Sequence, residues 1–249
     1  MSMNIQRLPW AGIRIEAGGI AILIDPVTRI PERFGPAREP MYPLGTYGEA
    51  DAILVTHLHE DHFDPQAIIE TYGAAIPVYV PSEMAEAARA KGLTNVTGAA
   101  VGGSFEIGDG VKITALQSVD GVGDVQVAWA VEGDERRVIH CGDTLWHGYW
   151  WGIAGKFGPF DAAFLPVNGA VLELPGRLPS GQPICLTPEQ AVAAAAILGA
   201  GVLVPIHYGA VHYPPVYTET PDIAARLGTA AEGKVIVNML KAGESIALD

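Results

Sequence analysis

Three histidines and three acids fall within nine residues, Thr56 to Asp64, in the stretch THLHEDHFD. Side chains of these types at such density can ligate metal ions, move protons, or simply form a solvated patch. Their place in the chain decides among these. The apolar run before them reads as a strand over residues 52–55, so the cluster begins where a buried strand runs out. In extended chain His57 and His59 point the same way, because side chains alternate with a period of two. Asp61 and His62 then fall in the turn before a helix capped by Asp64 and opened by Pro65. A histidine pair followed by an Asp-His pair suits two cations lying a few ångströms apart.

Two cations need more ligands than this stretch holds, and later strands end in suitable ones. RRVIHCGDT delivers Asp143, whose two carboxylate oxygens could bridge both ions, and VLVPIHY delivers His207 in the same manner. Softer candidates surround them. His147 and Trp146 follow Asp143 closely and are expected to touch substrate, as are Arg33 on an early loop and His212 in HYGAVHYPP. His140 lies within a strand and reads as a core histidine, and Cys141 as an inert buried thiol.

The series His57-x-His59-x-Asp61-His62, then Gly142-Asp143-Thr144, then His207 resembles the metallo-β-lactamase superfamily. The resemblance implies an α/β fold, an αββα four-layer sandwich in which two mixed β-sheets are flanked by helices. It implies a binuclear centre along one edge of the sheets, with Asp61 both ligating the second ion and orienting the attacking hydroxide or handling its proton. ILIDP and VPIHY look most like the branch containing L-ascorbate 6-phosphate lactonase. The family usually adds a third histidine between His62 and Asp143. Here VKITALQSVDG has none, and Asp120 stands about where it is expected. A carboxylate in place of imidazole shifts that position towards harder ions. The cofactor expected is therefore two divalent ions, Zn or Mn, with Fe also compatible.

The expected activity is metal-dependent hydrolysis by a bridging hydroxide, on a lactone or ester of a small, in one version phosphorylated, metabolite. A phosphodiesterase is the alternative, and a metal-binding sensor with weakened turnover is the alternative of another class. Redox branches fit less well. The di-iron flavoproteins carry an acid where His59 stands and need a flavin domain, and the mononuclear iron dioxygenases need the missing histidine.

These ligands must be held by a scaffold. Apolar runs at residues 13–16, 20–24, 52–55, 77–80, 111–116, 125–131, 138–141, 162–165, 202–206 and 235–239 read as strands. Several are continuously apolar, as for strands covered on both faces. Helices are announced by Asp64-Pro65, by Ser82 with Gly92 as the stop, by the capping box Thr187-Pro188-Glu189-Gln190, and by Thr220-Pro221. Residues 28–49 and 168–186 exceed the roughly 12–15 residues usual for structureless loops and are expected to act as lids. No linker interrupts residues 1–249, read as one domain, and that length can bury roughly 70–75% of the unfolded surface. A net charge of −13 argues against extended nucleic acid, which needs a basic stripe. No apolar run reaches the roughly 20 residues of a membrane span, the first residues show no apolar leader, and two cysteines make no disulfide framework. The expected setting is cytoplasmic; the expected partners are a small-molecule substrate and, at most, further copies of the chain in a homo-oligomer.

Overall fold

The computed structural model describes residues 2–249. Its first sheet contains β1 (Met3–Arg7), β2 (Ile13–Ala17), β3 (Ile20–Ile24), β4 (Ala52–Leu54), β5 (Val78–Pro81) and β6 (Val96–Ala99), with β16 (Ser245–Leu248) outside β1. The pairs from β16 to β3 are antiparallel and those from β3 to β6 parallel. The second sheet repeats this mixture. β7 (Ser104–Ile107), β8 (Val111–Gln117), β9 (Val127–Gly133) and β10 (Arg136–His140) are antiparallel neighbours. Parallel pairs then join β10, β11 (Ala162–Pro166), β13 (Val202–Ile206) and β15 (Ile236–Val237). A small antiparallel pair, β12 (Val171–Leu172) with β14 (Tyr217–Thr218), stands apart.

Alternation along the strands explains the layering. Ala52 and Leu54 face the interior between the sheets, beside Phe164 and Val204 from the second sheet, whereas Ile53 and Val55 face outwards. That outer face is covered by α1 (Pro65–Tyr72) and α2 (Ala85–Arg89) through Ile68 and Ala88. On the second sheet, Ala163, Leu165 and Leu203 face α3 (Trp150–Phe157), α4 (Pro188–Ile197) and α5 (Ile223–Ala231). Strands buried on both faces must be apolar at every position, which is why β4 and β11 lack alternation. The expected αββα sandwich is the observed fold. No helix among the described residues is long and apolar enough to cross a membrane.

Caps behave as their sequences predict. The Asp64 side chain accepts from Ala67 N with Pro65 in the first turn, and both halves of the Thr187–Gln190 capping box form. Other boundaries differ. Strands β1, β6, β7 and β16 were not expected, because each is short and only partly apolar. The segment from Ser82 opens as a 3-10 turn, Ser82–Met84, and continues as a helix of five residues. The last helix starts at Ile223 rather than after Thr220, whose hydroxyl instead donates to Gly169 O. Within residues 28–49 two 3-10 turns, Glu32–Phe34 and Leu44–Tyr47, bury Phe34, Leu44 and Tyr47. Residues 168–186 are tied down by the β12–β14 pair and by Ile184 N donating to Ala170 O.

Candidate metal centre

The carboxyl ends of β4, β10 and β13 meet at one edge of the sandwich. Beyond β4 the chain turns sharply, with His62 N and Phe63 N both donating to His59 O, which folds the Asp-His pair back beside the first two histidines. The rings of His57 and His59 lie 4.3 Å apart, and those of His57 and His62 4.2 Å. After β10, Gly142 turns the chain at φ +58°. A Cβ there would come within 2.8 Å of both Thr56 Oγ1 and Gln126 Oε1, so only glycine fits. Asp143 N donates to that Gln126 oxygen, which aims the carboxylate into the cluster. His207 follows β13 at φ +56°, its N–H donated to Trp10 O at 3.1 Å.

Two four-residue groups result, each with its ligand atoms within 4.8 Å of one another: His57, His59, Asp120 and Asp143, and Asp61, His62, Asp143 and His207. Asp143 belongs to both. The Nε2 atoms of His62 and His207 approach Asp143 Oδ1 at 2.9 and 2.7 Å, yet neither contact is aligned as a hydrogen bond. Nε2 of His57, His62 and His207, together with Asp143 Oδ1, are buried with no hydrogen-bond partner among the described residues. Each ring is nonetheless fixed through its other nitrogen. Nδ1 of His57 meets Thr56 Oγ1 at 3.0 Å, Nδ1 of His62 meets Asp25 Oδ2 at 2.8 Å, and Nδ1 of His207 faces Cys185 Sγ at 3.9 Å. Buried polar atoms left unpaired are costly, and imidazoles held at Nδ1 with Nε2 converging on carboxylates are the arrangement of metal ligands. The residues present fit divalent cations.

The charges agree. Burial pushes His57 down to about 3, helped by the neighbouring His62, so its ring is neutral and able to ligate. Burial also disfavours charge on His207, but Asp143 and Asp61 outweigh it and push the imidazole up to about 9. His62 is raised for the same reason, by Asp143 and Asp25 against its own burial. In metal-free protein, therefore, His207 contributes stability that is complete below the unfolded imidazole value of about 6.5 and is lost as pH rises through about 9. Cations must displace these protons. Zn2+ uptake near pH 7 is expected to release protons and to tighten with pH up to about 9. Calorimetry in two buffers of different ionisation enthalpy measures this; identical heats would contradict it.

Asp120 bridges to Thr144 in an isolated antiparallel contact, and its Oδ1 accepts from Val122 N and Asp124 N. Its Oδ2 lies 3.8 Å from His59 Nδ1, while Asp124 Oδ2 holds His59 Nε2 at 2.7 Å. The turn is pressed against residues 168–186 so closely that a Cβ on Gly121 would sit 2.0 Å from Ile184 O.

A cavity of about 390 Å3 opens over the cluster, reached by His59, Asp61, Asp120, Asp143 and His207. Both long segments wall it, the first through Arg33 and Phe34, the second through Leu172, Leu174, Arg177 and Ile184. Of the four residues expected to touch substrate, Arg33 alone lines this cavity. The other three lie elsewhere: Trp146 is exposed and packs on Trp150 and Trp151, His147 stacks on Trp150 at 4.0 Å, and His212 Nδ1 accepts from Glu219 N. The first two thus pack on Trp150 of the helix that follows rather than lining the cavity. His140 is a core histidine, donating from Nε2 to Ala11 O at 2.7 Å, and Cys141 is buried with its thiol pushed up by burial.

Sequence reasoning missed two residues at the heart of the centre. Asp25, fully buried, accepts from Thr56 N, Thr56 Oγ1 and His62 Nδ1. Trp10 donates from Nε1 to Asp61 Oδ2 at 3.2 Å. An acid ending an apolar strand in ILIDP was a usable signal for Asp25; nothing in the sequence marked Trp10.

Residues 21–208 match the family model described as a beta-lactamase superfamily domain. The chain is 31% identical over 245 residues to a UPF0173 metal-dependent hydrolase of Rubrobacter xylanophilus, covering 92% of this chain and 89% of that one. It is 30% identical over 251 residues to another of Shouchella clausii, at 95% and 96% coverage. Among solved structures, Igni18, a metallo hydrolase of Ignicoccus hospitalis, superposes with a TM-score of 0.76 at 22% identity, over 100% of this chain and 99% of that one. CmlA, a diiron β-hydroxylase of Streptomyces venezuelae, does so at 0.75 and 17%, over 99% of this chain but 54% of its own. At such identities the solved structures speak for the fold alone.

Proposed function

The chain belongs to the metallo-β-lactamase superfamily, as a metal-dependent hydrolase of its UPF0173 group, and from that premise we propose that it opens a lactone or ester of a small anionic metabolite. The observation that carries this reading is the pair of ligand cups sharing Asp143, with four orphaned buried atoms turned towards each other beneath an open cavity. We assign His57, His59, Asp120 and Asp143 to one divalent cation, and Asp61, His62, Asp143 and His207 to the other. Bound cations supply Lewis acidity, bringing a water's pKa towards about 7 and polarising a carbonyl. Asp120 adds a hard oxygen donor where imidazole is usual, which favours Mn2+ or Fe2+ at the first position over a set of three histidines.

The side chains divide the remaining work. Burial would raise the Asp61 carboxyl, but the neighbouring His207 and His62 imidazoles hold it well below the usual carboxylate range. A carboxylate held so low is ionised at every working pH and is a weak base. Its task is to accept a hydrogen bond from the attacking water and so aim it. The cavity wall of Phe34, Val122, Leu172, Leu174 and Ile184 packs an apolar substrate body and limits water access.

The anionic end of the substrate meets Arg33 and Arg177. Arg33 is already paired with Glu60 at 2.6 Å and lies over the Phe34 ring. Arg177 reaches the same cavity with no carboxylate within ion-pair distance among the described residues, in a chain where 28 acids face 15 bases. A guanidinium left free beside a substrate cavity suits a carboxylate or phosphate by bidentate pairing.

The test combines metal analysis with a substrate panel of anionic and neutral lactones, aryl esters and bis(p-nitrophenyl) phosphate. Near two equivalents of metal and preferential turnover of anionic lactones or esters is the expected result. Arg177→Ala should raise KM for the anionic members about 10-fold or more, with kcat little changed and neutral analogues unaffected. Turnover confined to the phosphodiester would replace the lactonase reading, and one or no equivalent with no turnover would replace it with a sensor.

A further inference from the structure

Trp10 sits in the tight turn between β1 and β2, closed by Gly12 N donating to Pro9 O and Leu8 N donating to Gly12 O. Its backbone adopts φ +60°, a left-handed conformation unfavourable for a bulky residue. What holds it there is unusual. Trp10 N donates to Glu39 Oε2 at 2.8 Å, and Glu39 is paired with Arg7, which is only 2% exposed. A partly buried ion pair and a strained turn thus fix one indole.

That indole reaches two residues of a single ligand cup. Nε1–H donates to Asp61 Oδ2, the oxygen that lies 3.8 Å from His207 Nε2. The ring packs against the His207 imidazole, centroids 3.9 Å apart and planes tilted by 43°. The carbonyl of Trp10 accepts from His207 N, and the carbonyl of Ala11 accepts from His140 Nε2, just before the strand end that presents Asp143. A tryptophan serving only to fill the core would need no more than a nearby carbonyl, as Trp129 has in Val55 O. Trp10 instead spends its one donor on a carboxylate of the centre.

We propose that Trp10, braced by Glu39 and Arg7, is a positioning residue for the second cation, fixing which Asp61 oxygen is presented and preventing rotation of the His207 ring. This rests on the reading of Asp61, His62, Asp143 and His207 as a cation cup. Partners of this kind around metal ligands typically account for 10–100-fold in affinity.

Trp10→Phe keeps a ring against His207 and removes the N–H. Metal-free and loaded forms of both proteins are titrated with Zn2+ against a chelator and with Co2+ by visible absorption. The expected outcome is one equivalent bound as in the unsubstituted protein and the other weakened about 10–100-fold, with the Co2+ band of that second equivalent displaced and the metal-free melting temperature unchanged within a few degrees. Unchanged affinity for both equivalents overturns the proposal. So does parallel weakening of both together with a lowered metal-free melting temperature, which is what loss of core packing alone would produce. A second measurement avoids substitution altogether. With 15N-labelled tryptophan, the Trp10 indole N–H signal, among five tryptophans, should shift as the equivalent of Zn2+ held by the Asp61, His62, Asp143 and His207 cup binds; a signal that stays fixed through both equivalents overturns the proposal. Should the unsubstituted protein bind no Zn2+ at all, the cation cup itself fails before any variant is compared.

Discussion

Asp143→Ala is expected to abolish hydrolysis, by at least about 10³-fold, and to bring metal content down from two equivalents to one or none. The magnitude follows from what one carboxylate does in two places. Asp143 is common to both ligand groups, and its Oδ1 lies within 3 Å of Nε2 of both His62 and His207. Burial would raise this carboxyl, yet His207 and His62 hold it well below the usual range, so it stays charged at every working pH. Removing it leaves the two facing imidazoles with only Asp61 Oδ2, 3.8–3.9 Å from each, in place of the close carboxylate. Loss of Lewis-acid assistance is worth several kcal/mol of barrier, and each 1.36 kcal/mol is about tenfold in rate. Metal analysis and turnover on the best panel substrate check the two halves separately. Full metal content with lost turnover would mean that Asp143 acts on substrate rather than as a shared ligand; full turnover would remove it from the centre altogether.

The prominence of Asp143, His207 and the His57–His62 run in the sequence has a physical cause. Each follows a strand buried on both faces, so a titratable residue interrupting an apolar run stands out, and parallel strands in one sheet present their carboxyl ends at the same edge. Two such edges facing each other across a sandwich bring residues 57–62, 143 and 207 together without any knowledge of loop conformation. The substrate contacts lacked this advantage. His147 and Trp146 are near Asp143 in the chain, but the helix beginning at Trp150 carries their packing partner away from the cavity, and closeness in sequence says nothing about which side a turn takes. β16 was hidden because an edge strand needs few apolar residues, and β1 beside it because buried Met3 and Ile5 alternate with the polar Asn4 and Gln6 in a run of five. Trp10 was hidden more deeply: its role depends on a turn that only the pairing of β1 with β2 creates. Arg177 likewise became visible only once the second long segment was seen to wall the cavity.

Asp25 tests whether such unheralded residues matter as much as the ligands they hold. Its backbone lies at φ +47°, it is wholly buried, and both its oxygens are occupied, Oδ1 by Thr56 N at 2.7 Å, Oδ2 by Thr56 Oγ1 at 2.6 Å and by His62 Nδ1 at 2.8 Å. Burial alone would raise the carboxyl, but the His62 hydrogen bond and the surrounding histidines keep it low, so it is a charged anchor. Asp25→Ala strips three donors of their only acceptor at once, in a place water does not reach. Breaking a buried charge pair from one side costs about 3–5 kcal/mol, which for a chain of this size lowers the melting temperature by roughly 6–20 °C. Asp25→Asn separates the two roles. The amide keeps the volume and one acceptor oxygen, yet turns an N–H2 towards groups that are themselves donors. It is expected to fold, with His62 no longer oriented and cation affinity lowered about 10–100-fold. Thermal melts of the metal-free variants and chelator competition on the loaded ones measure the two effects. An alanine variant that melts with the parent and binds both cations as tightly would show that the strained acid at the end of β3 merely occupies space, and that Thr56 and His62 find their orientation elsewhere.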